Sequence, residues 1–259
     1  MHFAKKRFGQ NFLRDPHFVR ACIEAIRPQA EETLVEIGPG LGALTRPLLA
    51  QVPHLHVVEI DRDLIAKLHA EFTPARMTIH EGDALKFDFS KIGDKLRVAG
   101  NLPYNISTPL LFHLAEFSDR IFDMHFMLQK EVVERMVAAP STSDYGRLSV
   151  MLQYRFTMVH LFDVPGEAFN PVPKVTSSFV RMRPLHPIPH PARDPALFAK
   201  IVAAAFSTRR KTLRNALKAH LTDPDFAAIG IDPILRAENL GVAEFVRIAN
   251  HLHDRPLGD

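Results

Sequence analysis

From residue 33 onward, short β-branched and aliphatic runs alternate with stretches whose apolar positions recur every three or four residues. That alternation is the pattern of a parallel sheet with crossover helices, because a parallel strand is buried on both faces and a covering helix on one. It predicts strands at 33–37, 56–60, 77–80, 97–100 and 124–128, and helices at 41–51, 63–72, 109–116 and 130–138. Two further strand-like runs, 157–164 and 177–183, flank the loop GEAFNPVPKV and fit a closing hairpin on an otherwise parallel sheet.

The segment PLHPIPHPARDP, residues 184–195, carries five prolines and can continue neither a helix nor a central strand, so it reads as a linker. Beyond it the period becomes helical: Phe198, Ile201, Val202, Ala205 and Phe206, then Leu213, Leu217 and Leu221 four apart. The chain therefore divides into an α/β domain, 1–185, and a small all-helical domain, 186–259.

Composition narrows the class. With 259 residues, 46% of them hydrophobic, the chain can bury a full core. A net charge of +3 is too small to argue for a polyanionic partner, so only the distribution of charge can make that case. The N-terminus MHFAKKRFGQNF has no apolar core segment and no later run is long enough to cross a bilayer, which predicts a cytoplasmic protein without membrane contact. The single cysteine, Cys22, lies in an apolar helical run and reads as an inert buried thiol. The fourteen histidines show no zinc-ligand spacing, so no metal is expected, and His113 reads as a helix-face residue.

The chemistry-bearing residues sit at successive strand ends. Glu36, Ile37, Gly38, Pro39, Gly40, Leu41 and Gly42 follow the first strand, where glycines let a ligand approach the backbone closely. Glu59 ends the second strand about twenty residues on, positioned to accept ribose hydroxyls. This loop also satisfies GxGxxA, so alone it leaves NAD and S-adenosylmethionine both open. Asp83, after the third strand, could accept from an adenine amine or equally serve as a turn residue or cap.

The fourth strand runs into Asn101, Leu102, Pro103 and Tyr104. An exocyclic adenine amine is a poor nucleophile because its lone pair is delocalised into the ring. Methylating it requires acceptors for both N–H groups that favour a pyramidal nitrogen. An asparagine oxygen, a backbone carbonyl beside proline and a tyrosine face supply two neutral acceptors and a stacking surface for a flipped base. Transfer of a sulfonium methyl is an in-line attack carried by positioning, so no strong general base is expected.

On these motifs the chain resembles the ribosomal RNA adenine dimethyltransferases, and within them the bacterial small-subunit type. The resemblance rests on KRFGQNFL (6–13), EIGPGLGALT (36–45), VEIDRD (58–63), GDAL (82–85), NLPYNISTPLLFHL (101–114), FNPVPKVTSSF (169–179) and AFSTRRKTLRNAL (205–217). It implies a Rossmann-like class I methyltransferase fold, with a mostly parallel seven-stranded sheet. It implies S-adenosylmethionine as cofactor and N6,N6-dimethylation of two adjacent adenosines in a 3′-terminal hairpin of small-subunit RNA. The implied cofactor contacts are Asn11, Leu13, Gly38, Gly40, Glu59, Ile60, Asp83, Ala84 and Asn101. Asn101, Leu102, Pro103 and Tyr104 would form the target-base site, with Phe169 closing on the base's other face. Without the resemblance, Phe169 reads as a core residue.

Large-subunit members of the family usually carry isoleucine at the position of Leu102, so Leu102 favours the small-subunit type. The resemblance further implies a monomer working on the pre-30S particle. Other readings are a non-catalytic assembly factor on the same scaffold and a nicotinamide-dependent oxidoreductase, which the NLPY motif does not explain.

Two basic runs are candidate RNA contacts. Arg209, Arg210, Lys211, Arg214 and Lys218 occupy residues 207–220 without an acid, and Lys5, Lys6 and Arg7 lie near the N-terminus. A solvated helix face is the alternative for the first run.

Overall fold

A computed structural model describes residues 10–208 and 210–255. The strands are β1 (Phe12–Leu13), β2 (Leu34–Ile37), β3 (Leu55–Glu59), β4 (Met77–Glu81), β5 (Leu96–Asn101), β6 (Ile121–Gln129), β7 (Phe156–Val164), β8 (Phe169–Asn170) and β9 (Ser177–Pro184). The helices are α1 (Pro16–Ile26), α2 (Thr45–Leu49), α3 (Arg62–Glu71), α4 (Ser107–Ala115), α5 (Lys130–Val137), α6 (Arg147–Gln153), α7 (Pro195–Ala205), α8 (Leu213–Ala216), α9 (Asp223–Ile229) and α10 (Val242–His253).

Seven strands form one sheet in the order β4-β3-β2-β5-β6-β9-β7. Neighbours from β4 to β6 are parallel, and β9 runs antiparallel to β6. The predicted closing pair is therefore present, with β9 between β6 and β7. All four residues of β2 are buried, as a strand covered on both faces requires. A separate two-stranded ladder pairs β1 with β8, Leu13 opposite Phe169. Strands of two residues carry no periodicity, so neither was visible in the sequence.

The predicted helix at 41–51 shrinks to α2. Gly38, Gly40 and Gly42 all have positive φ, between 57° and 83°, and the chain stays in turns until Thr45. Cys22 is buried, which pushes its thiol up to about 12 and leaves it inert. His113 lies on α4 with Nε2 2.8 Å from the Phe87 carbonyl.

The chain forms two compact units. One comprises the chain up to Val133 together with Thr157–Pro184, and the other comprises Glu134–Phe156 together with the chain from Leu185. The helical unit thus takes α6 as well as the segment beyond the linker, whereas the sequence placed 134–156 in the α/β domain. The cause is apolar: Val150 and Tyr154 are buried in one cluster with Phe198, Ile201 and Phe245. The Tyr154 and Phe198 rings lie 4.5 Å apart. Leu213, Leu217 and Leu221 are all buried there as their spacing predicts, although α8 spans only four residues and turns complete the segment.

At the amino edge of the α/β unit, buried Arg97 of β5 holds Asp123 of β6 through two bonds of 2.8 Å and Glu32 at 2.7 Å. It also donates to the Ile26 and Arg27 carbonyls at the end of α1. One guanidinium thereby joins β5, β6 and α1. Arg97→Ala strands the Asp123 carboxylate inside the protein, so it should lower the free energy of unfolding by about 3–5 kcal/mol, read by urea denaturation.

Candidate active site

The carboxyl ends of β2, β3, β4 and β5 open into one cavity, where a doubly wound sheet places its ligands. The glycine-rich turn forms its floor. Gly38 donates its N–H to the Val58 carbonyl at 2.9 Å, tying the turn to β3. At Gly40, φ is +57° and an added Cβ would lie 3.1 Å from the Phe12 ring, so this position takes only glycine without displacement. Gly100 is constrained more tightly, since a Cβ there would stand 2.5 Å from the Ile37 carbonyl oxygen. Close approach of β5 to the end of β2 thus brings Asn101 beside the turn.

Glu59 is 6% exposed. Its Oε1 accepts from the backbone N–H of Ile60 at 2.9 Å and of Asp61 at 2.8 Å. Burial pushes its pKa upward, while the N–H groups of Asp61, Ile60 and Gly40 pull it back down. A buried carboxyl held in this way is an acceptor aimed at hydroxyl donors. Ile60 beside it is 46% exposed and presents an apolar surface to the same cavity. Asp83 accepts from the Leu85 N–H at 3.0 Å, so it is a turn residue that also lines the cavity, and the two readings of it are compatible.

Asn101 donates from Nδ2 to the Asn11 backbone carbonyl at 2.7 Å. A carbonyl can only accept, so this contact orients the amide and leaves Oδ1 as the remaining acceptor. Leu102 follows, its own N–H bonded to the Met127 carbonyl at 3.2 Å. The Tyr104 hydroxyl lies 2.6 Å from Ser177 Oγ on β9, which anchors the ring, and burial raises its pKa against that bond.

All nine residues expected at the cofactor line this cavity, as do Asn101, Leu102, Pro103 and Tyr104. Phe169 does not. It is 3% exposed, on β8, and packed in the apolar cluster that contains Leu13, as its reading from the residues alone would have it. On the helical unit Arg210, Lys211, Arg214 and Lys218 are exposed, but Arg214 is paired with Asp223 at 2.9 Å, an acid outside the run in sequence. Lys5, Lys6, Arg7 and Arg209 lie outside the described residues.

Two contributors were not singled out in the sequence, and a third, Glu36, entered only as the first residue of the glycine turn. Gln10 donates to Asp61 at 3.1 Å, Ser177 anchors Tyr104, and Glu36 lines the cavity at 2% exposure. Glu36 accepts from the Thr45 hydroxyl at 2.7 Å. Burial pushes its carboxyl up to about 7, opposed by that hydroxyl. Its position as the acid just before the glycine turn was the available signal.

The ribosomal RNA adenine dimethylase family profile matches residues 1–254. A ribosomal RNA small subunit methyltransferase A of Aromatoleum aromaticum is 66% identical over 251 residues, 97% of this chain and 95% of that protein. The protein of the same name from Thiobacillus denitrificans is 64% identical over 255 residues, 98% and 100% of the two chains. A solved dimethyladenosine transferase from Plasmodium falciparum superposes with a TM-score of 0.79 at 24% identity, covering 92% of this chain and 95% of that one, a likeness of fold.

Glu36 makes stability depend on pH. Its folded pKa of about 7 exceeds the ordinary 4.5, so between these values the folded state holds a proton that the unfolded state has lost. Stability contributed by that proton is complete below 4.5 and declines as pH rises to 7, by roughly 3 kcal/mol over the window. Urea unfolding of Glu36→Gln between pH 5 and 8 should show that decline removed relative to wild type.

Proposed function

The chain belongs to the ribosomal RNA adenine dimethylase family, and from that membership we infer that it dimethylates adenine N6 in small-subunit ribosomal RNA with S-adenosylmethionine as methyl donor. The observation that carries the reading at residue level is the Asn101 amide, committed through Nδ2 to the Asn11 carbonyl in a cavity that also holds the buried Glu59. Relatives named for the small subunit at 66% and 64% identity, together with Leu102, favour that subunit over the large one.

The residues present fit the cofactor. Glu59 offers a buried acceptor for a ribose diol, Gly38 and Gly40 leave backbone open to a ligand, Ile60 and Ala84 supply apolar surface, and Asp83 offers an acceptor for an adenine amine. Asn11 and Leu13 line the same space. S-adenosylmethionine, when bound, supplies a methyl group made electrophilic by its sulfonium sulfur.

The chain's own contribution is to present the nucleophile. The Asn101 Oδ1 and the Leu102 carbonyl would each accept an N–H of the target amine, drawing the nitrogen toward a pyramid with its lone pair out of the ring. Tyr104, held through Ser177, would stack on the flipped base, so its orientation is set before the base arrives. Pro103 fixes φ directly after the Leu102 carbonyl and so restrains the turn that carries it. Phe169 would have to leave its core position to meet the base, so the reading rests on Asn101, Leu102 and Tyr104.

In this reading the α/β unit is catalytic and the helical unit binds RNA, with Arg210, Lys211 and Lys218 among its exposed cations. The family resemblance supports a cytoplasmic monomer that acts on the pre-30S particle, at adjacent adenosines of a 3′-terminal hairpin. Among the described residues no helix is long and apolar enough to cross a membrane.

Asn101→Ala should abolish most methyl transfer while leaving RNA affinity near wild type, since one acceptor is a small part of a phosphate-dominated interface. Radiolabelled methyl transfer and filter binding check the two halves, and normal turnover would remove the assigned base site. Glu59→Ala should weaken S-adenosylmethionine binding by about 1–3 kcal/mol in calorimetry, through loss of charge-assisted bonds. Reversing Arg210 and Lys211 to Glu should weaken small-subunit binding and reduce its salt slope by roughly one unit per lost phosphate contact. A solvated helix face predicts an unchanged slope.

A further inference from the structure

A second cavity opens at the amino edge of the same sheet, at the opposite strand ends from the active site, and the function above does not use it. It lies within the α/β unit, between the end of α1 and the amino ends of β5 and β6, with the end of β9 beside them. Register places its polar residues. His125 pairs across the ladder with Arg181, and Met124 with Met182. Side chains alternate along a strand, so Arg181 and Arg183 share a face with His125 and Asp123.

The charges there are not all paired. Asp123 and Glu32 are engaged by Arg97. Arg181 and Arg183 line the cavity and have no carboxylate partner among the described residues. The Arg183 guanidinium lies 5.8 Å from the centroid of Phe122, an aromatic ring 52% exposed at the same cavity.

His125 supplies the observation that points to a ligand. It is 1% exposed, and its Nε2 is a buried polar atom with no hydrogen-bond partner in the structure. Such an atom costs free energy unless something met on binding satisfies it. Burial pushes the imidazole down to about 4, so the ring is neutral at physiological pH. Nδ1 lies 3.8 Å from Asp123 Oδ1, so Nε2 is the ring nitrogen left to meet a group able either to donate to it or to accept from it.

The cavity therefore combines two unpaired guanidinium groups suited to an oxyanion, one buried ring nitrogen that calls for a hydroxyl, which can donate or accept, and an exposed ring suited to stacking. We propose that this cavity is a second nucleotide site, with the phosphate on Arg181 and Arg183, a ribose hydroxyl bonded to His125 Nε2, and the base against Phe122. A phosphate alone satisfies the arginines only, and an apolar ligand satisfies neither these nor the histidine. The nucleotide could come from RNA or from solution, and the experiment separates the two sources.

The test uses the whole protein saturated with S-adenosylmethionine and a pyrimidine nucleotide, UMP, as probe, because a purine would compete at the adenine site. Calorimetry should show one UMP site. Arg181→Gln with Arg183→Gln should weaken it by about tenfold or more, and Phe122→Ala by about fivefold or more. Inorganic phosphate binding should be lost with the arginines and kept in Phe122→Ala. The Arg210→Gln, Lys211→Gln protein should bind UMP as wild type does. S-adenosylmethionine affinity in every variant reports that the α/β unit is folded, and Arg183→Gln alone, at an exposed position, provides a second variant with little structural risk.

If affinity for unmethylated small subunits falls together with UMP affinity, the occupant is an RNA nucleotide. If UMP affinity falls and subunit affinity holds, it is a free nucleotide. UMP binding that is absent, or indifferent to both Arg181→Gln, Arg183→Gln and Phe122→Ala, overturns the site and leaves an ordered water as the partner of His125.

Discussion

The bond from the Asn101 side chain to the Asn11 carbonyl governs the active site, because it settles two matters at once. It fixes the amide so that an oxygen remains as the acceptor, and it ties the segment before α1 to the end of β5. That segment is secured again where β1 pairs with β8 and where the Arg14 and Asp15 N–H groups meet the Ala168 carbonyl. Gln10 adds a bond to Asp61, next to the Glu59 turn. The cavity is thus closed by residues some ninety positions from the strand whose end they cover, and its polarity is set before any ligand arrives.

The two edges of the sheet divide their tasks by charge. At the carboxyl edge, buried Glu36 and Glu59 are both pushed toward the protonated state, and their satisfaction comes from Thr45 and from backbone N–H groups. Arg46 lowers the Glu36 carboxyl through its charge, whereas no cation among the described residues acts on Glu59, which suits an acceptor for a neutral diol. At the amino edge, Arg97 neutralises Asp123 and Glu32 and binds α1 to β5 and β6. Strong ionic pairing therefore sits where the fold must be held, and weaker hydrogen bonding sits where ligands exchange.

Much of this was legible in the sequence because it depends on local pattern. Buried parallel strands read as apolar runs, and each residue expected at the cofactor lay at a strand end or in the segment before α1, so all nine line one cavity. The helix after the glycine turn was overextended, since apolar spacing at 41–51 does not register the positive φ of Gly42, which continues the turn begun at Gly38 and Gly40. The passage of 134–156 into the helical unit was hidden for a different reason: only the contact of Val150 and Tyr154 with Phe198 and Phe245 reveals it, and those residues are distant in sequence. Ser177 and Gln10 escaped notice likewise, because their partners are 73 and 51 residues away. Arg214 looked unopposed until α9 brought Asp223 to it.

In the function proposed above, the cavity at the carboxyl edge presents an adenine amine for two successive methylations. Nucleoside mass spectrometry on unmethylated small subunits, incubated with the protein and S-adenosylmethionine, addresses it directly. N6,N6-dimethyladenosine should be the accumulating product. Methylation confined to another nucleoside, or to a ring nitrogen of adenine, would contradict it.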